Sequence, residues 1–101
     1  MSFKPFLCLV ELRLHYNDSG SLKDKRKHLH SLKTQIRKRF GASVAEVDGH
    51  ETWQRATVVC ALVGGPDVED RGAELARFAE GHCPDGCRAV RELLSLEDIR
   101  G

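Results

Sequence analysis

The chain has 101 residues, of which 41% are hydrophobic and 31% charged, and its formal net charge is +1. This size and composition are typical of one soluble domain that buries a core without metal or disulfide staples, and they predict a single domain over residues 1–101. No apolar run approaches the roughly 18 residues that a membrane helix needs, and the first residues lack the pattern of a secretory signal, so we expect a cytoplasmic protein with no membrane partner.

The spacing of hydrophobic residues distinguishes the first two predicted elements, a strand and a helix. Residues 6–15 alternate between two faces, which predicts a strand. Ser21 and Asp24 have the spacing of a helix-capping box, and Gly41 has the position of a helix stop. Between them we expect a helix of about five turns. Its apolar stripe is predicted to contain Leu22, Leu29, Leu32, Ile36 and Phe40.

The rest of the chain repeats this alternation of strands and helices. Strands are predicted over residues 42–48, 53–63 and 88–96, and a second helix over residues 67–80. The resulting order is β-α-β-β-α-β, and each crossover between parallel strands is right-handed. These rules predict an α+β, ferredoxin-like fold, in which a four-stranded antiparallel sheet carries two helices on one face.

Positive charge is concentrated on the first predicted helix. Residues 21–40 contain one acidic residue, Asp24, and eight basic ones: Lys23, Lys25, Arg26, Lys27, Lys33, Arg37, Lys38 and Arg39. The segment therefore carries a net charge of +7, which leaves −6 for the rest of the chain. A solvated helix face usually mixes signs to gain ion pairs four residues apart, and this one does not. We expect these eight side chains to bind nucleic-acid phosphates, with a merely solvated face as the alternative.

Lys25 and Arg26 differ from the other basic residues because they lie closer to the apolar stripe. Their aliphatic stems are expected to cover the edge of the core while the charges reach outward. The alternative is that they form an anion site with the loop at residues 17–20 and the first helix turn.

The face of the sheet opposite the helices provides a second candidate surface. Its predicted residues are Leu9, Glu11, Arg13, Glu46, Asp48, Arg55 and Val59. Arg13 and Arg55 are expected to pair with Glu46 and Asp48 across strands. The apolar members suggest contact with a second copy of the chain. The RNA recognition motif stacks bases on aromatic residues of such a face, and those aromatics are missing here.

Enzyme, metal and cofactor chemistry find little support. Cys8 and Cys60 lie in apolar runs and are expected to pack in the core. His82, Cys83 and Cys87 are too few for a defined metal site, and whether they bind metal or form a disulfide stays open. His28 and His30 have no adjacent nucleophile, and the sequence contains no phosphate-binding loop or dinucleotide motif. We therefore expect a protein with no enzymatic activity, no catalytic residue, no metal and no cofactor.

Three short motifs resemble a known family. SLKDKR at residues 21–26, SVAEVD at 43–48 and WQRA at 53–56 are similar to the bacterial YlxP-like family, also called domain of unknown function 503. The resemblance covers residues 9–64, so the cysteines near position 85 are particular to this chain. It implies a ferredoxin-like fold and no established activity. It also implies, by gene neighbourhood alone, a link to translation.

Charge and resemblance together favour a non-enzymatic accessory factor that associates with RNA or the ribosome. The alternative is a homo-oligomeric interaction module, such as a homodimer, that uses the open face of the sheet. The two hypotheses differ in the surface that they require.

Overall fold

Seven elements are formed in residues 4–17, 21–49 and 54–101, the part of the chain that the computed structural model describes. In chain order these are β1 (Phe6–His15), α1 (Leu22–Phe40), β2 (Ser43–Asp48), β3 (Arg55–Gly64), α2 (Val68–Gly81), β4 (Cys87–Ser95) and α3 (Leu96–Arg100). The predicted start of the third strand at Trp53 lies outside the described residues.

The four strands form one antiparallel sheet in the order β2-β3-β1-β4. The central strands pair along their whole length, from Phe6 opposite Gly64 to His15 opposite Arg55. The strands β1 and β4 pair from Phe6 opposite Ser95 to Leu14 opposite Cys87. This topology confirms the predicted α+β, ferredoxin-like fold.

The core lies between one face of the sheet and the two long helices. Every second side chain of β1 from Cys8 to Leu14 is at most 2% exposed, and the same holds for β3 from Ala56 to Leu62. Period-two alternation places these residues on one face, and their removal from water is the main favourable term in folding. The inner stripes of α1 and α2 cover this face.

The ends of α1 are those that the sequence predicts. The Ser21 hydroxyl accepts a hydrogen bond from the Asp24 amide, and the Asp24 carboxylate accepts one from the Ser21 amide. Gly41 ends the helix in the left-handed region, at φ 65°. The predicted stripe is wrong at its first position, because Leu22 is 40% exposed and Lys25 takes the buried place.

The helix α2 approaches the sheet closely because it contains a glycine. A side chain at Gly72 would collide with the sulfur of Cys8 on β1. The helix runs from Val68 to Gly81, one residue later at each end than predicted, because Gly81 keeps a helical backbone and His82 forms the cap.

The final element departs from the prediction of a strand over residues 88–96. The strand β4 ends at Ser95, whose hydroxyl accepts a hydrogen bond from the Asp98 amide while the Asp98 carboxylate accepts one from the Ser95 amide. This second capping box starts α3 at Leu96.

Candidate nucleic-acid interface

The helix α1 presents a basic surface because its buried stripe faces the sheet. Lys25, Leu29, Leu32 and Ile36 are buried on that side. At 100° per residue the opposite side contains Lys23, Lys27 and Lys38, all exposed. Arg37 is exposed beside them and Lys33 is half-buried. We call these five residues (Lys23, Lys27, Lys33, Arg37 and Lys38) the basic face.

Lys25 does not belong to this surface. It is 2% exposed, and its Nζ donates hydrogen bonds to the Gly49 carbonyl at 2.6 Å and the Arg55 carbonyl at 2.9 Å. Burial lowers the pKa of the Lys25 ammonium, and the neighbouring Arg26 guanidinium lowers it further. Lys25 therefore secures the ends of β2 and β3 instead of contacting phosphate. The alternative anion site with residues 17–20 involves a loop that lies mostly outside the described residues.

Arg26 is paired within the chain as well. Its two terminal nitrogens donate to the two carboxylate oxygens of Glu46 at 2.7 and 2.9 Å. The Glu46 side chain is only 6% exposed, and its hydrogen bond raises the pKa of the Arg26 guanidinium. This two-pronged geometry is the strong form of an Arg–carboxylate pair. Arg26 therefore attaches α1 to β2.

The position of Glu46 corrects a prediction. We expected Glu46 on the open face, paired with an arginine of that face. In the register of β2 it lies opposite Val58, whose side chain is buried under the helices. An irregularity between Glu46 and Asp48 then shifts the strand, so that Asp48 lies opposite Thr57 on the open face.

The basic face has little internal neutralisation. Within residues 4–17, 21–49 and 54–101, no ion pair involves its lysines. Arg37 donates to the Val44 carbonyl at 3.2 Å, which leaves its charge uncompensated. Outside the face, the Arg39 guanidinium lies 4.6 Å from the centre of the Phe78 ring. The basic residues of the last turn interact favourably with the helix dipole, whereas Lys23 and Lys27 lie near the positive end of the dipole, where a cation is unfavourable.

The open face of the sheet combines charge pairs with apolar rows. Arg13 pairs with Glu11 on the same strand, not across strands as predicted. Arg55 pairs with Asp48 at 2.8 Å, as predicted, although both side chains are about 60% exposed. Leu9 and Val59 are half-buried on this face, with Val59 directly opposite Glu11 and Leu9 opposite Ala61.

A cavity of about 210 Å³ lies between the end of β1, the start of α1 and the turn after α2. At its wall Nε2 of His28 is 2.9 Å from the His82 carbonyl, which can only accept a hydrogen bond. In the neutral ring, Nδ1 of His28 therefore accepts from the Tyr16 hydroxyl at 2.9 Å. Burial is the main cause that raises the pKa of the Tyr16 hydroxyl, and the electrostatic interaction with Cys83 raises it further. Sequence reasoning missed this cluster, because no local pattern links Tyr16 to residues on two other elements.

The four cysteines are free thiols, three of them buried. Cys8 and Cys60 pack in the core, as predicted. The His82 ring stacks on Phe78, and its Nδ1 donates to the Phe78 carbonyl at 2.9 Å. Among the described residues, no group of three His, Cys, Asp or Glu side chains is arranged to hold a metal ion.

Known proteins resemble this chain in sequence and in fold. The family described as "Protein of unknown function (DUF503)" matches residues 7–85. The uncharacterized protein YlxP of Bacillus subtilis (strain 168) is 36% identical over 52 residues, which are 52% of this chain and 56% of that protein, so the match spans little more than half of the relative.

A solved structure supports the fold at much lower identity. A mutant of SnoaB, a cofactor-independent oxygenase from Streptomyces nogalater, superposes with a TM-score of 0.53 at 9% identity, over 88% of this chain and 90% of that one. Identity this low indicates a shared fold and nothing about activity. Neither long helix of the described residues has the length and apolar character to cross a membrane.

Proposed function

We propose that this chain, which belongs to the DUF503 family of proteins of unknown function, is a non-enzymatic accessory factor that binds RNA or the ribosome through the basic face of α1. The observation that supports the proposal is the contrast along one helix. Lys25 and Arg26 are used inside the protein, whereas Lys23 and Lys27 project outward without an ion pair in the described part of the chain. We expect such a factor to act in the cytoplasm.

Repulsion within the basic face supports an anionic partner. Lys23 and Lys27 are four residues apart, as are Lys33 and Arg37, and each like-charge pair costs a few tenths of a kcal/mol. From Lys23 to Lys38 the face extends about 22 Å along the helix, enough to follow several phosphates. Phosphate contact relieves the repulsion and releases counterions from the nucleic acid. Contacts of this kind position a protein on RNA without reading its bases.

The test is a titration of an RNA hairpin at several salt concentrations. With five phosphate contacts, we expect the logarithm of the binding constant to fall with the logarithm of salt with a slope of about −4. The double variant Lys27→Glu/Lys38→Glu should weaken binding at least about tenfold and flatten the slope by about two. A parallel titration with single-stranded RNA of equal length shows whether binding requires the duplex part of the hairpin.

The matched control changes net charge equally at a distance from α1. Arg91 on β4 and Arg100 on α3 are exposed, and β4 forms the sheet edge opposite β2. Arg91→Glu/Arg100→Glu should retain most of the affinity. If both double variants lost RNA affinity equally, binding would depend on the net charge of the protein and not on the basic face. RNA binding that ignores salt and the α1 variants would refute the proposal.

A second candidate function is self-association through the open face. Both long helices pack on the other side, and the open side carries apolar rows that include Leu9 and Val59. Arg88 and Glu92 lie on this face, four residues apart on β4. Two copies could pack face to face, related by a two-fold axis that runs parallel to the sheets and at right angles to the strands. In this arrangement Arg88 of one copy would lie opposite Glu92 of the other. This charge complementarity favours a second copy of the chain as the partner.

A further inference from the structure

A tight turn after α2 brings two cysteines together. The Gly86 amide donates to the Cys83 carbonyl at 3.1 Å, which closes a four-residue β-turn with Pro84 in its second position. Gly86 has φ 115°, a conformation that glycine adopts most readily. The chain therefore reverses between Cys83 and Cys87, and Cys87 begins β4.

Both thiols point toward the same part of the core. Cys83 is 8% exposed, and Cys87 lies opposite Leu14 on the helix-covered side of the sheet. The tight turn and the shared core location place the two cysteines next to each other, with Cys83 in the core and Cys87 packed against it. The interaction between the two side chains lowers the pKa of Cys83 and raises that of Cys87. Of the two thiols, Cys83 therefore has the greater tendency to form the nucleophilic thiolate.

The other two cysteines have different surroundings. Cys8 is 1% exposed and Cys60 is fully buried in the sheet. Burial raises the pKa of the Cys60 thiol to about 12 and also raises that of Cys8. Cys83, in contrast, lines the cavity of about 210 Å³ beside Tyr16, which provides an approach for a small reagent.

A metal site does not account for the pair. The ring of His82, the nearest additional ligand in sequence, is stacked on Phe78 at 4.0 Å between ring centres. Two thiols alone leave a tetrahedral metal ion without half of its ligands. A pair of thiols across a tight turn is instead suited to two-electron thiol–disulfide chemistry.

We propose that Cys83 and Cys87 form a thiol–disulfide exchange site that reacts with low-molecular-weight disulfides such as glutathione disulfide. The Cys83 thiolate attacks one sulfur of the reagent, so that a mixed disulfide forms and one glutathione thiolate leaves. Cys87 then loses its proton to solvent, and its thiolate attacks the Cys83 sulfur and releases the second glutathione. The two protein thiols are oxidised by two electrons, and the reagent is reduced to two thiols.

The experiment treats the reduced, folded chain with glutathione disulfide, blocks the remaining thiols and maps the tryptic peptides by mass. The peptide of residues 78–88 contains both cysteines and no internal trypsin site. We expect this peptide to lose the mass of two hydrogens and to regain it after dithiothreitol. Cys87→Ser should instead retain one glutathione on Cys83. The control variant Cys8→Ser/Cys60→Ser should form the disulfide as the parent does.

The unaltered chain alone decides the matter if a variant fails to fold, because its peptide map reports all four thiols. Oxidation confined to the 78–88 peptide supports the exchange site. The proposal fails if that peptide keeps both thiols reduced, or if Cys8 and Cys60 acquire glutathione at the same rate. None of these results depends on RNA binding, so the two proposals are tested separately.

Discussion

Lys25 and Lys27 are two positions apart on α1 and have opposite surroundings. Two residues turn the helix by about 200°, so one side chain faces the sheet and the other faces water. Lys25 donates to the carbonyls of Gly49 and Arg55, which are groups at the ends of two strands. A lysine in the core is tolerated because its hydrogen-bond partners are present. The same residue type therefore acts as a structural anchor at one position and as a candidate ligand for phosphate at the other.

Replacement of these two lysines by methionine should separate the roles. Lys25→Met removes donors from two carbonyls near the core, so the free energy of unfolding should fall by about 1–3 kcal/mol while RNA affinity stays close to that of the parent. Lys27→Met should weaken RNA binding and leave stability within about 0.5 kcal/mol. Urea denaturation and RNA titration measure the two effects. A stable Lys25→Met variant with weakened binding would contradict this assignment.

At the scale of elements, the ion pair between Arg26 and Glu46 attaches α1 to the sheet. Arg26 reaches from the first turns of α1 to Glu46 in the middle of the edge strand β2. The Glu46 carboxylate is buried and the Arg26 guanidinium is partly exposed. Removal of Arg26 and removal of Glu46 should therefore lower stability by different amounts. Without Arg26 a buried negative charge loses its principal partner, which is more costly than the loss of a solvated cation.

A double-mutant cycle on this pair tests the attachment. Arg26→Met should lower the free energy of unfolding by about 3 kcal/mol or more, and Glu46→Gln should lower it by less. The double variant should be more stable than the sum of the single effects implies, with a coupling energy of about 1–3 kcal/mol. Urea titrations of the four proteins provide these values. Strictly additive effects would show that the pair does not hold α1 against β2.

At the scale of the whole molecule, the fold separates two candidate surfaces. The basic face lies on the outside of α1, and the open face lies on the far side of the sheet. The core between them is filled by the inner rows of β1 and β3. A dimer formed through the open face would therefore leave the basic face of each copy exposed, so RNA binding and self-association are compatible.

Light scattering tests the second surface directly. If the open face is an interface, the chain should have the mass of a dimer, and Leu9→Asp or Val59→Asp should convert it to a monomer, because a charge is placed among desolvated apolar rows. Lys27→Glu, on the opposite side of the molecule, is the control and should remain dimeric. A monomer at high protein concentration would rule out self-association by this route.

Most of the fold could be predicted from local sequence patterns. The alternation over residues 6–15, the capping box at Ser21 and the stop at Gly41 depend on neighbours within four residues, and all three are confirmed. The short helix α3 is not predicted, because the consecutive residues Leu93 and Leu94 near the end of β4 obscure the alternation and the point at which the strand stops. Local patterns also located the cluster of basic residues, since charge composition requires no knowledge of packing.

Tertiary structure decided which of these residues have partners. Glu46 and Arg26 are 20 positions apart, and the contact between them depends on how α1 lies on β2 and on an irregularity in that strand. His28 accepts from Tyr16 and donates to a carbonyl 54 positions away. Secondary structure follows from short-range periodicity, whereas pairing between distant side chains follows from the packing of whole elements. The sequence by itself therefore determined the four strands, the two long helices and their order, and only the packed molecule distinguished the anchoring cations from the outward ones.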